Sequence, residues 1–157
     1  TQGIVGALTV RDNISLAAPG LISRFLWINL GKDREIAEYY HRQLDIRTPS
    51  VEQKVRYLSG GNQQKVVVAK WLCTNSRLLL LDEPTRGIDV GAKSEMFALM
   101  DQLAEQGTAI VMFSSELEEI LAMSDNIIVM HEGRITGQLS HAEATQEKIM
   151  HYATGGE

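Results

Sequence analysis

Four consecutive leucines followed by Asp82, Glu83 and Pro84 form the segment that most constrains the fold of this chain. A short apolar run of this kind predicts a fully buried central strand, and the acids mark where that strand emerges at the rim of a sheet. Open parallel sheets bind their ligands outside the carboxyl ends of the strands, so the two acids are expected where chemistry is done. The simplest alternative is that two acids merely end a strand.

The two acids suit different chemical uses. Mg²⁺ keeps several of its waters and takes only one or two protein carboxylates, so Asp82 could hold this ion through water. Successive side chains of a strand point in opposite directions, and Glu83 could therefore accept a proton from an attacking water molecule.

The pattern after residue 60 alternates between helices and strands with short links. Strands interleaved with helices of this length indicate an α/β fold with right-handed crossovers and a parallel sheet. A turn at residues 131–134 predicts a hairpin, which is followed by a last helix. The predicted helices are 62–74, 91–106, 116–123 and 145–153, and the predicted strands are 77–82, 108–114, 126–130 and 135–139.

The first part of the chain, residues 9–57, is predicted to be mostly helical. Thr9 and Asp12 have capping-box spacing at the start of a short helix. Residues 21–30 are apolar nearly all round, including Phe25 and Trp27, which predicts either simple burial or a surface that a partner covers. An amphipathic helix is predicted at 32–44. Its inward side chains would be Ile36, Tyr39, Tyr40 and Leu44, and its outward ones Asp33, Glu35, Glu38 and Arg42.

Composition argues against several classes of function. The formal net charge is −5 without a compensating Lys/Arg cluster, which disfavours binding to nucleic acid. Cys73 is the only cysteine, so no internal disulfide is possible, and its apolar flanks suggest a packed helix end. No metal other than Mg²⁺ is expected, because the histidines lack ligand-like spacing. They are His41, His131, His141 and His151.

A second segment, Ser59-Gly60-Gly61, opens a predicted helix. A helix start exposes unpaired N–H groups and the positive end of the macrodipole, and two glycines would let a phosphate approach the backbone closely. Ser59 is a candidate helix cap that could also donate to an anion. Taken alone, the tripeptide indicates only a loop.

The two segments together resemble a known family. Residues 58–65 read Leu-Ser-Gly-Gly-Asn-Gln-Gln-Lys, and residues 80–93 read Leu-Leu-Asp-Glu-Pro-Thr-Arg-Gly-Ile-Asp-Val-Gly-Ala-Lys. This order is similar to the ATP-binding subunit of bacterial ABC importers. Within them it is most similar to the carbohydrate group (ribose, galactose, xylose), which carries two nucleotide-binding domains in one polypeptide, and there to the second domain.

The resemblance implies ATP and Mg²⁺ as ligands and a role for each matching residue. The signature motif of the family closes over the nucleotide of the opposing domain, and the matching residues are Ser59, Gly60, Gly61, Asn62 and Gln63. Asn62 stands where most signatures have Gln. Asp82 would be the Mg²⁺-linked aspartate and Glu83 the catalytic base, and Asp89 would belong to the loop that couples the two sites.

Two departures from the family pattern qualify these roles. Ser115 occupies the position at which the family generally places a histidine against the γ-phosphate, so this domain's own site is expected to be weak. The phosphate-loop pattern Gly-x-x-x-x-Gly-Lys-Ser/Thr is absent from the sequence. We therefore expect the C-terminal portion of a nucleotide-binding domain, with residues 1–76 as the helical signature subdomain and 77–157 as the later half of the catalytic core.

This expectation leaves two interpretations of the chain open. As part of an ATPase it would act with a second nucleotide-binding domain and a membrane permease, and indirectly with a periplasmic solute-binding protein. It would then lie on the cytoplasmic face of the bacterial inner membrane, with residues 9–57 towards the permease. The alternative is a non-catalytic fragment that only packs against other subunits. The isolated chain is expected to bind ATP weakly or not at all.

Overall fold

The computed structural model describes residues 3–24 and 27–156, which form two compact units. The first unit spans Thr1–Met112 and the second Phe113–Glu157. The functional boundary expected after residue 76 stays a prediction, because a division by packing does not locate subdomains of different function. Among the described residues, no helix combines the length and the apolar character needed to cross a bilayer.

The first unit is mainly helical, as predicted for its early part. Thr9 begins the first helix: its Oγ1 accepts from the Asp12 N–H at 3.1 Å, and the Asp12 carboxylate accepts from the Thr9 N–H at 3.2 Å. The predicted capping box is thus confirmed. The helices are α1 (Val10–Ser15), α2 (Pro19–Ile22), α3 (Leu30–Gln43), α4 (Gly60–Leu72) and α5 (Val90–Glu105).

The leucine segment forms a strand, but the prediction that it is fully buried is wrong. Strand β3 (Leu78–Asp82) pairs with β4 (Ala109–Phe113), and α5 connects the two. Leu79 and Leu81 are buried, whereas Leu80 is 66% exposed and Leu78 is also exposed. Successive side chains of a strand point to opposite faces, and the described residues cover only one face of this sheet.

The apolar stretch 21–30 is largely exposed, so the prediction of simple burial is wrong. It forms a short hairpin in which β1 (Ser23–Arg24) pairs antiparallel with β2 (Trp27–Ile28). Trp27 is 81% exposed and Ile28 and Leu30 are also exposed, while Ile22 is buried. Phe25 lies outside the described residues. A hairpin of two-residue strands has too little inner face to bury every apolar side chain of the run.

Two side chains of helix α3 face the opposite way from the prediction, whereas Leu44 is buried as predicted. Asp33, predicted to face outward, is only 4% exposed, and Tyr39, predicted to face inward, is exposed. The cause is a long-range ion pair: Arg11 of α1 places its Nε 3.2 Å from Asp33 Oδ2. Arg11 also contacts Glu52 at 2.8 Å and Asp12 at 3.1 Å, so its guanidinium joins α1, α3 and the loop after α3.

The second unit confirms the predicted hairpin and terminal helix. Helix α6 (Leu117–Met123) precedes strands β5 (Asn126–His131) and β6 (Arg134–Ser140), which pair antiparallel, and α7 (Gln146–Ala153) follows. Glu132 and Gly133 both have positive φ, as a tight hairpin turn of the primed type requires. The core of the unit contains Ile127, Val129, Leu139 and Ile149.

Candidate functional site

The tip of α4 presents Ser59 to solvent. Ser59 is the N-cap residue of this helix and its side chain is exposed. The expectation that its hydroxyl caps the helix is wrong, because no first-turn N–H donates to it. Its Oγ instead accepts a hydrogen bond from Asn62 Nδ2 at 2.9 Å. The helix therefore begins with free N–H groups beside a hydroxyl, an arrangement that favours anions.

The two signature glycines are required by packing within the chain. A Cβ on Gly61 would lie 2.6 Å from the Cβ of Ala92 on α5, and a Cβ on Gly60 would lie 3.3 Å from Ile88 Cγ2. The start of α4 thus sits directly against the segment that follows the two acids. From the sequence, these glycines were expected to let a phosphate approach the backbone closely. Their packing within the chain is a second reason for glycine at both positions.

We expect Gly61→Ala to destabilise the chain by about 1 kcal/mol. Overpacking against Ala92 costs ~1–3 kcal/mol, and the higher helix propensity of alanine offsets part of this cost. Urea unfolding of the 157-residue chain followed by circular dichroism measures the change.

Two further variants test the origin of the Gly61 effect. Gly20→Ala is the control, since nothing lies within 4 Å of a Cβ placed there. The double variant Gly61→Ala/Ala92→Gly should lose less stability than the sum of the two single changes, because the second change reopens the space. Simple additivity would contradict the contact.

A charged network next to α4 was not predicted from the sequence. Lys65 is buried, and its Nζ donates to the Asp45 carbonyl at 3.0 Å and to Glu95 Oε2 at 3.0 Å. Arg47 contacts the other oxygen of Glu95 at 2.8 Å. The hydrogen bond from Lys65 lowers the pKa of the Glu95 carboxyl, with the charges of Lys65 and Arg47 acting in the same direction. The sequence did carry a signal, a lysine directly before three valines. When that helix face is buried, the charge of the lysine needs a partner.

The two acids lie at the carboxyl end of β3, as predicted. Asp82 is the last residue of the strand and is exposed. Glu83 has a φ of +46°, a left-handed conformation that costs a non-glycine residue ~1–2 kcal/mol, and it is followed by the buried Pro84 and Thr85. Strain of this kind concentrates at functional sites, and here it fixes the backbone directly after Asp82.

The carboxylates fit the needs of Mg²⁺ but do not form a dedicated metal cage. One exposed aspartate suits an ion that takes most of its ligands from water and phosphate. Within residues 3–24 and 27–156, no three His, Cys, Asp or Glu side chains cluster as metal ligands.

Asp89 has a local structural function. As the N-cap residue of α5 its Oδ1 accepts from the Ala92 N–H at 2.9 Å, and the preceding Gly87 adopts a φ of +76°. The contact between Gly60 and Ile88 brings this loop next to the signature tip. Ser59, Gly60, Gly61 and the loop carrying Asp89 are therefore neighbours in the first unit.

Ser115 belongs to the second unit, where it is exposed in the turn between β4 and α6. The preceding Ser114 organises this turn: its Oγ donates to the buried Glu119 at 2.8 Å and accepts from the Glu116 N–H at 3.1 Å. His131 contacts the Ala153 carbonyl through Nδ1 at 2.8 Å.

A family profile described as ABC transporter matches residues 2–86, more than half of the chain. The chain belongs to the ABC transporter family. It is 53% identical over 154 residues to the xylose import ATP-binding protein of Thermoanaerobacter pseudethanolicus, covering 98% of this chain and 30% of that protein. It is 56% identical over 153 residues to a putative ribose/galactose/methyl galactoside import ATP-binding protein of Burkholderia ambifaria, covering 97% and 30%.

A third relative, the ribose import ATP-binding protein of Oceanobacillus iheyensis, is 52% identical over 155 residues, which is 99% of this ABC chain and 31% of that protein. The chain thus spans about 30% of the length of the curated relatives that it matches. The resemblance to ATP-binding subunits of carbohydrate importers is confirmed by these relatives.

Solved structures support the same fold at low sequence identity. A putative metal-chelate type ABC transporter in an inward-facing conformation superposes with a TM-score of 0.81 at 18% identity, covering 94% of this chain and 58% of that one. A dimeric ATP-binding cassette in a post-hydrolysis state with ADP and Pi gives a TM-score of 0.71 at 22% identity, covering 90% and 61%. The predicted α/β fold of an ABC ATPase domain is confirmed.

Proposed function

We propose that this chain acts within an ATPase that hydrolyses ATP to drive the import of a sugar or sugar-like solute through a membrane permease. The observation that carries the proposal is the 52–56% identity, over nearly the whole chain, to proteins named as xylose, ribose or galactose import ATP-binding proteins. The helix start at Ser59 and the two acids at the end of β3 support it, because both suit the handling of a triphosphate.

In this proposal the tip of α4 acts on the nucleotide of an opposing domain. The N–H groups at the start of α4 carry the positive end of the helix dipole. The exposed hydroxyl of Ser59 adds one neutral donor. These groups stabilise negative charge on phosphate oxygens without needing to move, which is the main contribution that a protein makes to phosphoryl transfer.

The acids at the end of β3 act on the domain's own nucleotide. Asp82 would hold Mg²⁺ through water, and this ion would neutralise charge on the phosphate oxygens when bound. Glu83 accepts the proton of the attacking water, and its left-handed backbone fixes the course of the chain directly after Asp82. Asp89 couples the two sites through the loop that contacts Gly60.

Ser115 makes the domain's own site the weaker of two. A serine lacks the reach and the titratable ring of the histidine that the family generally has there. Loss of one preorganised donor lowers the rate by a factor on the order of 10²–10³. Most turnover would then occur at the site that Ser59 completes.

The proposed partners follow from the same function. They are a second nucleotide-binding domain, a permease and, indirectly, a periplasmic solute-binding protein, at the cytoplasmic face of the inner membrane. The exposed apolar side chains of Trp27, Ile28 and Leu30 lie within the part assigned to the permease side.

The test is uptake of labelled ribose, galactose and xylose by cells in which the gene is deleted and then restored. We expect ATP-dependent uptake of at least one sugar to be lost on deletion and recovered with the wild-type gene. Unchanged uptake of all three, together with a defect in DNA repair or translation, would favour a different class of ABC ATPase.

A further inference from the structure

The side chain of Asn62 connects the signature serine to a loop of the same chain. Asn62 is the third residue of α4 and is half-buried. Its Nδ2 donates to Ser59 Oγ at 2.9 Å, and its Oδ1 accepts from the backbone N–H of Arg47 at 2.7 Å. Both ends of the carboxamide are thus engaged within the chain.

The contact with Arg47 fixes which way the carboxamide points. A backbone N–H can only donate, so the oxygen of Asn62 must face Arg47 and the NH₂ group must face Ser59. That NH₂ group can only donate, so the hydroxyl of Ser59 receives the hydrogen bond. The proton of the hydroxyl is therefore left for an acceptor outside this pair.

This arrangement replaces the usual helix cap. In the common cap a serine oxygen accepts from a backbone N–H of the first turn, but Ser59 makes no such bond. The first-turn N–H groups and the Ser59 proton consequently stay available together, next to the positive end of α4. A nucleoside triphosphate presents the oxygen acceptors that such a group of donors fits.

The loop that carries Arg47 is itself held in position. The Arg47 guanidinium contacts Glu95 Oε1 at 2.8 Å, and Glu95 Oε2 accepts from Lys65 at 3.0 Å. Lys65 also donates to the Asp45 carbonyl at 3.0 Å. The N–H of Arg47 is therefore placed relative to both α4 and α5, and this placement fixes the orientation of Asn62.

We propose that Asn62 is a positioning residue that holds the hydroxyl of Ser59 as a donor towards phosphate oxygens, rather than a residue that binds the nucleotide itself. This inference depends on the proposed function, in which Ser59 faces a nucleoside triphosphate bound by an opposing domain. The role of Asn62 is orientation only, and no bond is made or broken at its side chain.

The test is a double-mutant cycle on ATP hydrolysis by the full-length protein. Asn62→Ala should lower kcat about tenfold, the rate equivalent of one hydrogen bond, with little change in KM. In a Ser59→Ala background the same change should have less than a twofold effect, because the hydroxyl that Asn62 orients is gone. Gln102→Ala, which removes an exposed carboxamide from α5, is the matched control.

A second variant, Asn62→Asp, distinguishes a change in the orientation of Ser59 from a folding defect. Asn62→Asp keeps the acceptor for the Arg47 N–H, but its carboxylate can only accept, so the Ser59 proton turns inward and kcat should fall further than in Asn62→Ala. Wild-type kcat in Asn62→Asp would overturn the inference, as would a tenfold loss from Asn62→Ala that persists in the Ser59→Ala background. If Ser59→Ala itself left hydrolysis unchanged, the proposed function of the signature tip would fail as well.

Discussion

Ser59→Ala lowers the ATP turnover of the full-length protein by a factor on the order of 10². The change removes one preorganised donor at the start of α4 while leaving the helix backbone intact, and the loss of such a donor typically has an effect of this size. Because Ser59 does not cap α4, the substitution should not unfold the helix. Steady-state hydrolysis is the measurement, with Ser94→Ala on the exposed side of α5 as the matched control.

The turnover of a Glu83 variant provides a comparison for the turnover of Ser59→Ala, because Glu83 belongs to the domain's own site. Glu83→Gln removes the proposed base from the site that Ser115 is proposed to weaken. Its effect on total turnover should stay below about twofold, although removal of a general base from a productive site costs ~10²–10⁴. A large loss with Glu83→Gln and a small one with Ser59→Ala would reverse the assignment of the productive site.

Arg11→Met should destabilise the 157-residue chain by about 3 kcal/mol. The variant leaves the Asp33 carboxylate buried without its cation, and this uncompensated charge is the main cost. The value lies at the low end for a broken buried pair because Arg11 remains 22% exposed. Urea unfolding followed by circular dichroism measures the loss.

Two controls isolate the contribution of Asp33 in the Arg11 variant. Arg34→Met breaks an exposed i,i+4 pair with Glu38 and should cost no more than about 0.5 kcal/mol. Arg11→Met/Asp33→Leu should recover most of the lost stability, since a buried ion pair can be replaced by apolar side chains at little cost. A double variant as unstable as Arg11→Met would contradict this explanation.

Local sequence patterns predicted the longer helices and strands of this fold to within about two residues, whereas α2, β1 and β2 were not predicted. Helix α5 was expected at 91–106 and spans Val90–Glu105, and the final helix was expected at 145–153 and spans Gln146–Ala153. These positions follow from apolar periodicity, caps and glycine stops, which are properties of neighbouring residues. The positions of Asp82 and Glu83 at the end of a strand were predictable for the same reason.

The orientation of side chains was less predictable because it depends on residues distant in the chain. Asp33 is buried because Arg11 reaches it from another helix, and periodicity within α3 cannot reveal that partner. Leu80 is exposed because the described residues cover only one face of β3, whereas a run of leucines suggests two covered faces. The bond from Asn62 to Ser59 depends in turn on where the loop at Arg47 lies.

The close approach of Gly61 to Ala92 has a mechanical consequence. Only the methyl group of Ala92 separates the two helices at this point, because a Cβ on Gly61 would lie 2.6 Å from it. In the proposed function, a triphosphate that displaces the tip of α4 would therefore also displace the start of α5, where Asp89 accepts from the Ala92 N–H. On that proposal, the loop that carries Asp89 would respond to the nucleotide of the opposing domain through direct packing alone.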